Sequence, residues 1–222
     1  MRKMFFKIAL LTALVGTMMP LAAQITHTQK GAVDENARAI LKKATDKMSS
    51  GAVSFDVAAV MRDENKRETS RTTVQVLYKA PQYRIVEGNK QEVCCDGQAV
   101  WFWTSASNEV VINKVDEGSE SILNPAVLLA NYQKHYKAKF IRQEDDGTAV
   151  VDLTPLKVKS YHKIRLLINA NSGQLKRVEV HKYDGSREEY DIQKFKSGVK
   201  STDTDFRFNA QKHPGAQEVD MR

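Results

Sequence analysis

Cysteine is nearly missing from this chain: 222 residues hold two, and these, Cys94 and Cys95, are adjacent. Neighbouring residues of a strand point to opposite faces, so an ordinary disulfide between them is sterically unfavourable. A redox or metal pair wants residues between its thiols. Both are therefore read as small buried side chains, with dimerisation through an exposed thiol as the other option in an oxidising compartment. Clustered histidine is missing too. His27, His135, His162, His181 and His213 stand singly, without metal-ligand spacing, so no metal or cofactor is expected. No serine occupies a Gly-x-Ser-x-Gly elbow, no recognisable base flanks the cysteines, and no phosphate-cradling glycine loop occurs. Asp145-Asp146 runs into Gly147 and reads as turn chemistry rather than an acid and base pair. An enzyme is not expected.

Charge of one sign is not concentrated anywhere. The formal charge is +7, but 34 Lys and Arg are interleaved with 27 Asp and Glu, which argues against nucleic-acid binding and allows mild attraction to anionic surfaces or acidic partners. Long hydrophobic runs are absent after residue 23. The one apolar stretch, residues 8–19, is shorter than the ~20 residues a spanning helix needs. Arg2, Lys3 and Lys7 precede it and Pro20-Leu21-Ala22-Ala23 follows it. This predicts a secretory signal peptide over residues 1–23, cleaved after Ala23, with no cysteine at the cut to carry a lipid anchor. Residues 24–222 contain no linker, repeat or low-complexity tract and are expected to form a single exported domain.

What remains is mostly alternation. Asp34 can cap a helix carrying Ala37, Ile40, Leu41, Ala44 and Met48, ended at Ser49-Ser50-Gly51. Strands are predicted from Val53 to Met61, then, after a polar loop over 62–71, at 72–78, 82–87, 91–95, 98–104 and 109–114. Turn residues such as Asp96-Gly97 separate them. Asn124-Pro125 opens a second helix to about Tyr136, with Leu128, Leu129, Tyr132 and Tyr136 on its apolar stripe. Five more strands follow, the last at 187–195. The expected fold is mainly β (α+β): an incomplete, strongly curved antiparallel barrel of about eleven strands, with helices covering the concave side.

Several of these strands are apolar on both faces: Ala99-Val100-Trp101-Phe102-Trp103, Val110-Val111-Ile112, Val150-Val151 and Leu166-Leu167-Ile168. Both faces of that sheet must find cover. The pattern alone leaves two options open, a core filled by the helices or a cavity meant for an apolar occupant.

The order of motifs resembles the LolA family of periplasmic lipoprotein carriers. The likeness rests on Val53-Ser54-Phe55, Tyr78-Lys79-Ala80-Pro81, the Asp96-Gly97-Gln98-Ala99-Val100-Trp101-Phe102-Trp103 hairpin, Asn108-Glu109-Val110, Asn124-Pro125-Ala126-Val127-Leu128-Leu129 and Phe206-Arg207-Phe208-Asn209. The resemblance implies an apolar cavity under a helical lid, holding lipoprotein acyl chains passed on by an inner-membrane ABC exporter and handed to an outer-membrane acceptor. It implies a monomer and a periplasmic location. Val74, Val76, Tyr78, Val86, Trp101, Trp103, Leu128 and Leu129 are the expected lining of cavity and lid. Ala80 and Pro81 stand at the lid-latch position, where proteobacterial members have an arginine that holds the empty carrier closed; Ala80 cannot do so. A periplasmic sensor of lipid or lipoprotein, or a carrier of another lipid, are the competing readings.

Overall fold

The structure, a computed structural model, describes residues 34–115 and 125–222; the expected leader and Asn124 lie outside them. In chain order the elements are α1 (Glu35–Ser49), β1 (Val53–Arg62), β2 (Glu68–Lys79), β3 (Gln82–Glu87), β4 (Gln91–Cys95), β5 (Ala99–Thr104) and β6 (Glu109–Lys114). Next come α2 (Pro125–His135), β7 (Tyr136–Gln143), β8 (Thr148–Pro155), β9 (Tyr161–Asn169), β10 (Leu175–Lys182) and β11 (Arg187–Ser197). Two 3-10 turns, Asp203–Phe206 and Ala210–Lys212, lead to β12 (Gln217–Asp220).

All twelve strands join one sheet in the order β12-β6-β5-β4-β3-β2-β1-β11-β10-β9-β8-β7. Two meanders, β1 to β6 and β7 to β11, meet where β1 pairs antiparallel with β11. The sheet is curved and unclosed, since β7 and β12 remain separate edges. Two features extend the expectation. The second strand starts at Glu68 rather than 72, because the polar run Glu68 to Arg71 still pairs with β1 although nothing apolar marks it. β12 is a further strand, parallel to β6, and all four of its residues are exposed, so no burial pattern announces it.

The helices pack on the concave face. Asp34 caps α1 through Oδ1, which accepts from the Ala37 N–H at 3.0 Å, while Oδ2 accepts from the Phe140 N–H at 2.8 Å. One carboxylate thus fixes both the start of the helix and its seat on β7. These N–H groups, Ala37 foremost, outweigh partial burial and hold its pKa below the ordinary value. Ala37, Leu41, Ala44 and Met48 recur at helical spacing and are buried against Val57, Leu153 and Leu166 in one core. α2 adds Ala126, Leu128, Leu129 and Tyr132, and its Leu129 carbonyl accepts from Thr45 Oγ1 at 3.3 Å. The β9–β10 turn clamps α1 from below: at Gly173 (φ +70°) an added Cβ would lie 2.6 Å from the Lys43 carbonyl oxygen.

The outer face of the β8–β11 half needs no helix. It carries a ladder of ion pairs, among them bidentate Arg165 to Asp152 and Arg177 to Asp191, whose stems cover the sheet.

Candidate functional site

Register across the β1–β6 wing sorts its side chains. Phe55 lies opposite Val76, Val76 opposite Ile85, Ile85 opposite Val93, Val93 opposite Phe102, Phe102 opposite Val111, and Val111 beside Val219. Directly opposed residues share a face, so these seven form one apolar row across seven strands, and Phe55, Val76 and Ile85 belong to the core under the helices. Burial falls away along it. Phe55 and Val76 are 2% exposed and Ile85 7%, Val93 is half-buried, Phe102 is 38% exposed and Val219 41%. The row therefore starts inside the core and runs out onto an open shelf.

A second row lies alongside: Val53, Tyr78, Tyr83, Cys95 and Val100. Burial pushes both phenols above their ordinary range, at Tyr83 reinforced by Cys95, so neither ionises near neutral pH. Neither row contains a charged residue. A polar margin, Glu87, Gln91, Thr104 and Glu109, bounds the shelf at one end. Such a surface offers dispersion and exclusion of water with little directional bonding.

The outer face of the same wing is covered in part, around Trp103, and stays grooved over β1 to β3 along Ser54, Gln75, Leu77 and Val86. After β11 the chain crosses it as a strap, anchored by Phe206, which is fully buried, and by Arg207, 3.2 Å from Asp96. His213 lies over Trp103 with ring centroids 3.9 Å apart, stacks on Phe208 at 5.0 Å, and reaches Glu92 Oε2 at 2.8 Å. Trp103 Nε1 donates to Asn108 at 3.1 Å. Arg84 and the Cys94 thiol complete the ring around Glu92. Burial alone would raise the Glu92 pKa, but His213, Cys94 and Arg84 together hold it below the ordinary value. The Cys94 thiol is pushed up by burial and by that carboxylate, and both cysteines are free and buried. Two apolar faces on β5 and β6 thus have two different explanations: the strap covers Trp103 on one, and the other stays open.

The residues singled out from sequence divide accordingly. Val74, Val76 and Tyr78 lie on the inner face, and Leu128 and Leu129 meet the same cluster from α2. Val86, Trp101 and Trp103 lie on the outer face, since Val86 pairs with Glu92, Glu92 with Trp103, and Trp101 with Cys94 and Ile112. That corrects the grouping of these three with Tyr78: a one-residue difference in register moves a strand's side chains to the other side. Val93, Val100, Phe102 and Val111 occupy the inner positions instead. Turn counting could have found them, because the two-residue Ala80-Pro81 turn fixes Tyr78 opposite Tyr83 and the register propagates from there. Ala80 and Pro81 are exposed; Pro81 packs against Gly97, where an added Cβ would sit 2.9 Å from its Cγ.

Residues 82–209, more than half of the chain, match the family model described as outer membrane lipoprotein carrier protein LolA. The chain belongs to the LolA family. No curated protein matches it. Among solved structures, an uncharacterized conserved protein from Thermus thermophilus superposes with TM-score 0.56 at 14% identity, over 83% of this chain and 98% of that one. A LolA superfamily protein from Nitrosomonas europaea gives 0.46 at 17%, covering 80% and 99%. MucB gives 0.49 at 13%, covering 80% and 64%. Residues 82–209 include the inner row from Ile85 to Val111, the strap's anchors Phe206 and Arg207, and the whole of α2, and leave Val219 outside.

Proposed function

We propose that this LolA family member is a periplasmic carrier, not an enzyme. It takes up lipoprotein acyl chains on the inner row that emerges from under α1 and α2, and relays them from an inner-membrane ABC exporter to an outer-membrane acceptor. Residues 1–23 serve as the leader that directs export. The observation that carries the reading is the gradient from Val76 to Phe102, an apolar row with no charge in it that leaves the core uncovered.

The physical task is solvent exclusion. Each acyl CH₂ taken from water contributes ~0.8 kcal/mol, so a multiply acylated protein does not cross an aqueous space unaided at a useful rate. A carrier must lower that cost without matching a bilayer, or it would never release. A shelf of valines, one phenylalanine and un-ionised phenols, with few fixed donors, binds hydrocarbon in many registers and lets it slide. Leu128 and Leu129 seat α2 in the same core cluster as the buried end of the row, and α2 packs on α1 and β7. The latch reading is not carried to Ala80, whose methyl group has no donor.

An environment-sensitive apolar dye bound to the empty protein should be displaced by a synthetic triacylated lipopeptide and not by the same peptide without acyl groups. Equal displacement by both would overturn the reading. Free fatty acid displacing as well as lipopeptide would turn it toward a carrier of another lipid.

A further inference from the structure

Large apolar side chains that stand in water are few among the described residues, and three gather at one end of the sheet. Val158 is 95% exposed and Leu156 62% in the β8–β9 loop, and Tyr183 is 69% exposed in the β10–β11 turn. The His162 ring, at the start of β9, lies 5.5 Å from that of Tyr183 and bridges the two turns. The Leu156 N–H donates to the His135 carbonyl at 2.8 Å, which ties the loop to the C-terminal end of α2.

The surroundings are basic. Residues 153–163 hold three lysines and no acid, and residues 132–143, which run from α2 along β7, hold three lysines, an arginine and no acid. Of the acids on neighbouring elements, Asp152 meets Arg165 and Lys163, Glu188 meets Lys182, and Asp184 meets Ser186, while Glu64 in the β1–β2 loop comes up beside Gly185 and accepts from the Asn65 amide. Lysines along β7 have a second explanation, since a free sheet edge is protected by charge. That accounts for Lys137 and Lys139 but not for a valine held in water between two lysines and a leucine just before them.

From this juxtaposition we infer that the β8–β9 loop is a membrane-surface contact: Leu156, Val158 and Tyr183 enter the headgroup boundary of an anionic phospholipid layer while Lys157, Lys134 and Lys137 meet its phosphates. A protruding alternation of apolar and basic residues suits a fluid, anionic surface, where stems bury and ammonium groups stay at the phosphate level. Tyrosine prefers the same level. The contact also sets the C-terminal end of α2 at the lipid surface, but the inference does not depend on cargo binding.

The test uses purified protein without cargo and vesicles of phosphatidylethanolamine with phosphatidylglycerol, against vesicles of phosphatidylcholine alone. Cosedimentation should occur with the anionic vesicles, weaken as salt rises, and be slight with phosphatidylcholine. Leu156→Ser with Val158→Ser should abolish it. Lys157→Glu should lower partitioning by more than the roughly fivefold expected for loss of one surface lysine. Lys114→Glu, exposed at the opposite end of the sheet, changes net charge equally and should leave most binding intact. All these positions are exposed, so melting temperatures should match the parent. Absence of binding to anionic vesicles, as for a tip that docks on protein, overturns the inference. So does loss in Lys114→Glu equal to that in Lys157→Glu, or full binding by the double serine variant. Failure of lipopeptide displacement beside normal vesicle binding would count against the carrier reading alone.

Discussion

Phe102→Glu separates a carrier shelf from an ordinary core. Phe102 is the exposed member of the inner row, flanked by Val93 and Val111. Full burial of a phenylalanine is worth about 1.5–3 kcal/mol, and with 38% of this residue already in water the substitution should cost the empty protein about 1–2 kcal/mol. At this chain length that lowers the melting temperature by roughly 2–8 °C. Cargo feels far more. A glutamate facing hydrocarbon is most cheaply accommodated by taking up a proton, and from an ordinary pKa near 4.3 this costs about 4 kcal/mol at pH 7. Affinity for a triacylated lipopeptide should therefore fall several hundredfold while the fold persists. The loaded state raises the carboxyl pKa, so binding is coupled to proton uptake and strengthens as pH falls. Between pH 7 and pH 5 affinity should recover roughly a hundredfold, since the proton costs only about 1 kcal/mol at the lower value. Phe102→Gln should show a loss without that pH dependence. Dye displacement across pH, with melting curves alongside, gives both numbers. Unchanged affinity in Phe102→Glu, or a loss that pH does not touch, would refute the assignment of this row to acyl chains.

Leu129→Ala, at a fully buried α2 position, should destabilise the fold by about 2–5 kcal/mol, read from the urea midpoint at constant slope. Gly173→Ala combines a left-handed backbone with a contact to the Lys43 carbonyl; a loss of about 2–4 kcal/mol and faster amide exchange in α1 are expected. Asp34, Glu92, Asp96 and Asp152 all have pKa values held below ordinary by hydrogen bonds or cations. Their contribution is present above the unfolded values near 4 and is lost as pH falls through the lower folded values, so urea midpoints should drop steeply below pH 4, after a smaller earlier loss from His181, whose pKa burial holds below the ordinary value. Glu92→Gln should lower the midpoint at pH 7 and make that drop shallower.

The sequence disclosed the elements better than their partners. Asp34, followed by Ala37, Leu41, Ala44 and Met48, specifies α1 because cap and stripe are local. Asp96-Gly97 specifies its hairpin for the same reason. Trp101 and Trp103 were not assignable to a face by alternation, since Val100 and Phe102 between them are equally apolar; only pairing traced back to the helices decides it. The strap was harder still. Glu92, His213 and Phe208 are scattered in the chain, and the polar stretch from 198 to 220 has no period, yet it is this stretch that covers Trp103. The family resemblance supplied the expectation of an apolar path, while its open part, Val93 to Val111, came from register.

The joint between the two meanders has a consequence for how the chain is made. Val53 pairs with Ser197 and Val57 with Ile192, so the middle of the sheet is closed by segments that synthesis separates by most of the chain. Loop-closure entropy must be met before that pairing returns anything, which places the protein among slow-folding topologies. Until β11 exists, the β1–β6 meander has a bare inner edge, and the strap over Trp103 is missing because it follows β11. Strand order thus postpones completion of the sheet until residues near 200 are available to pair with β1.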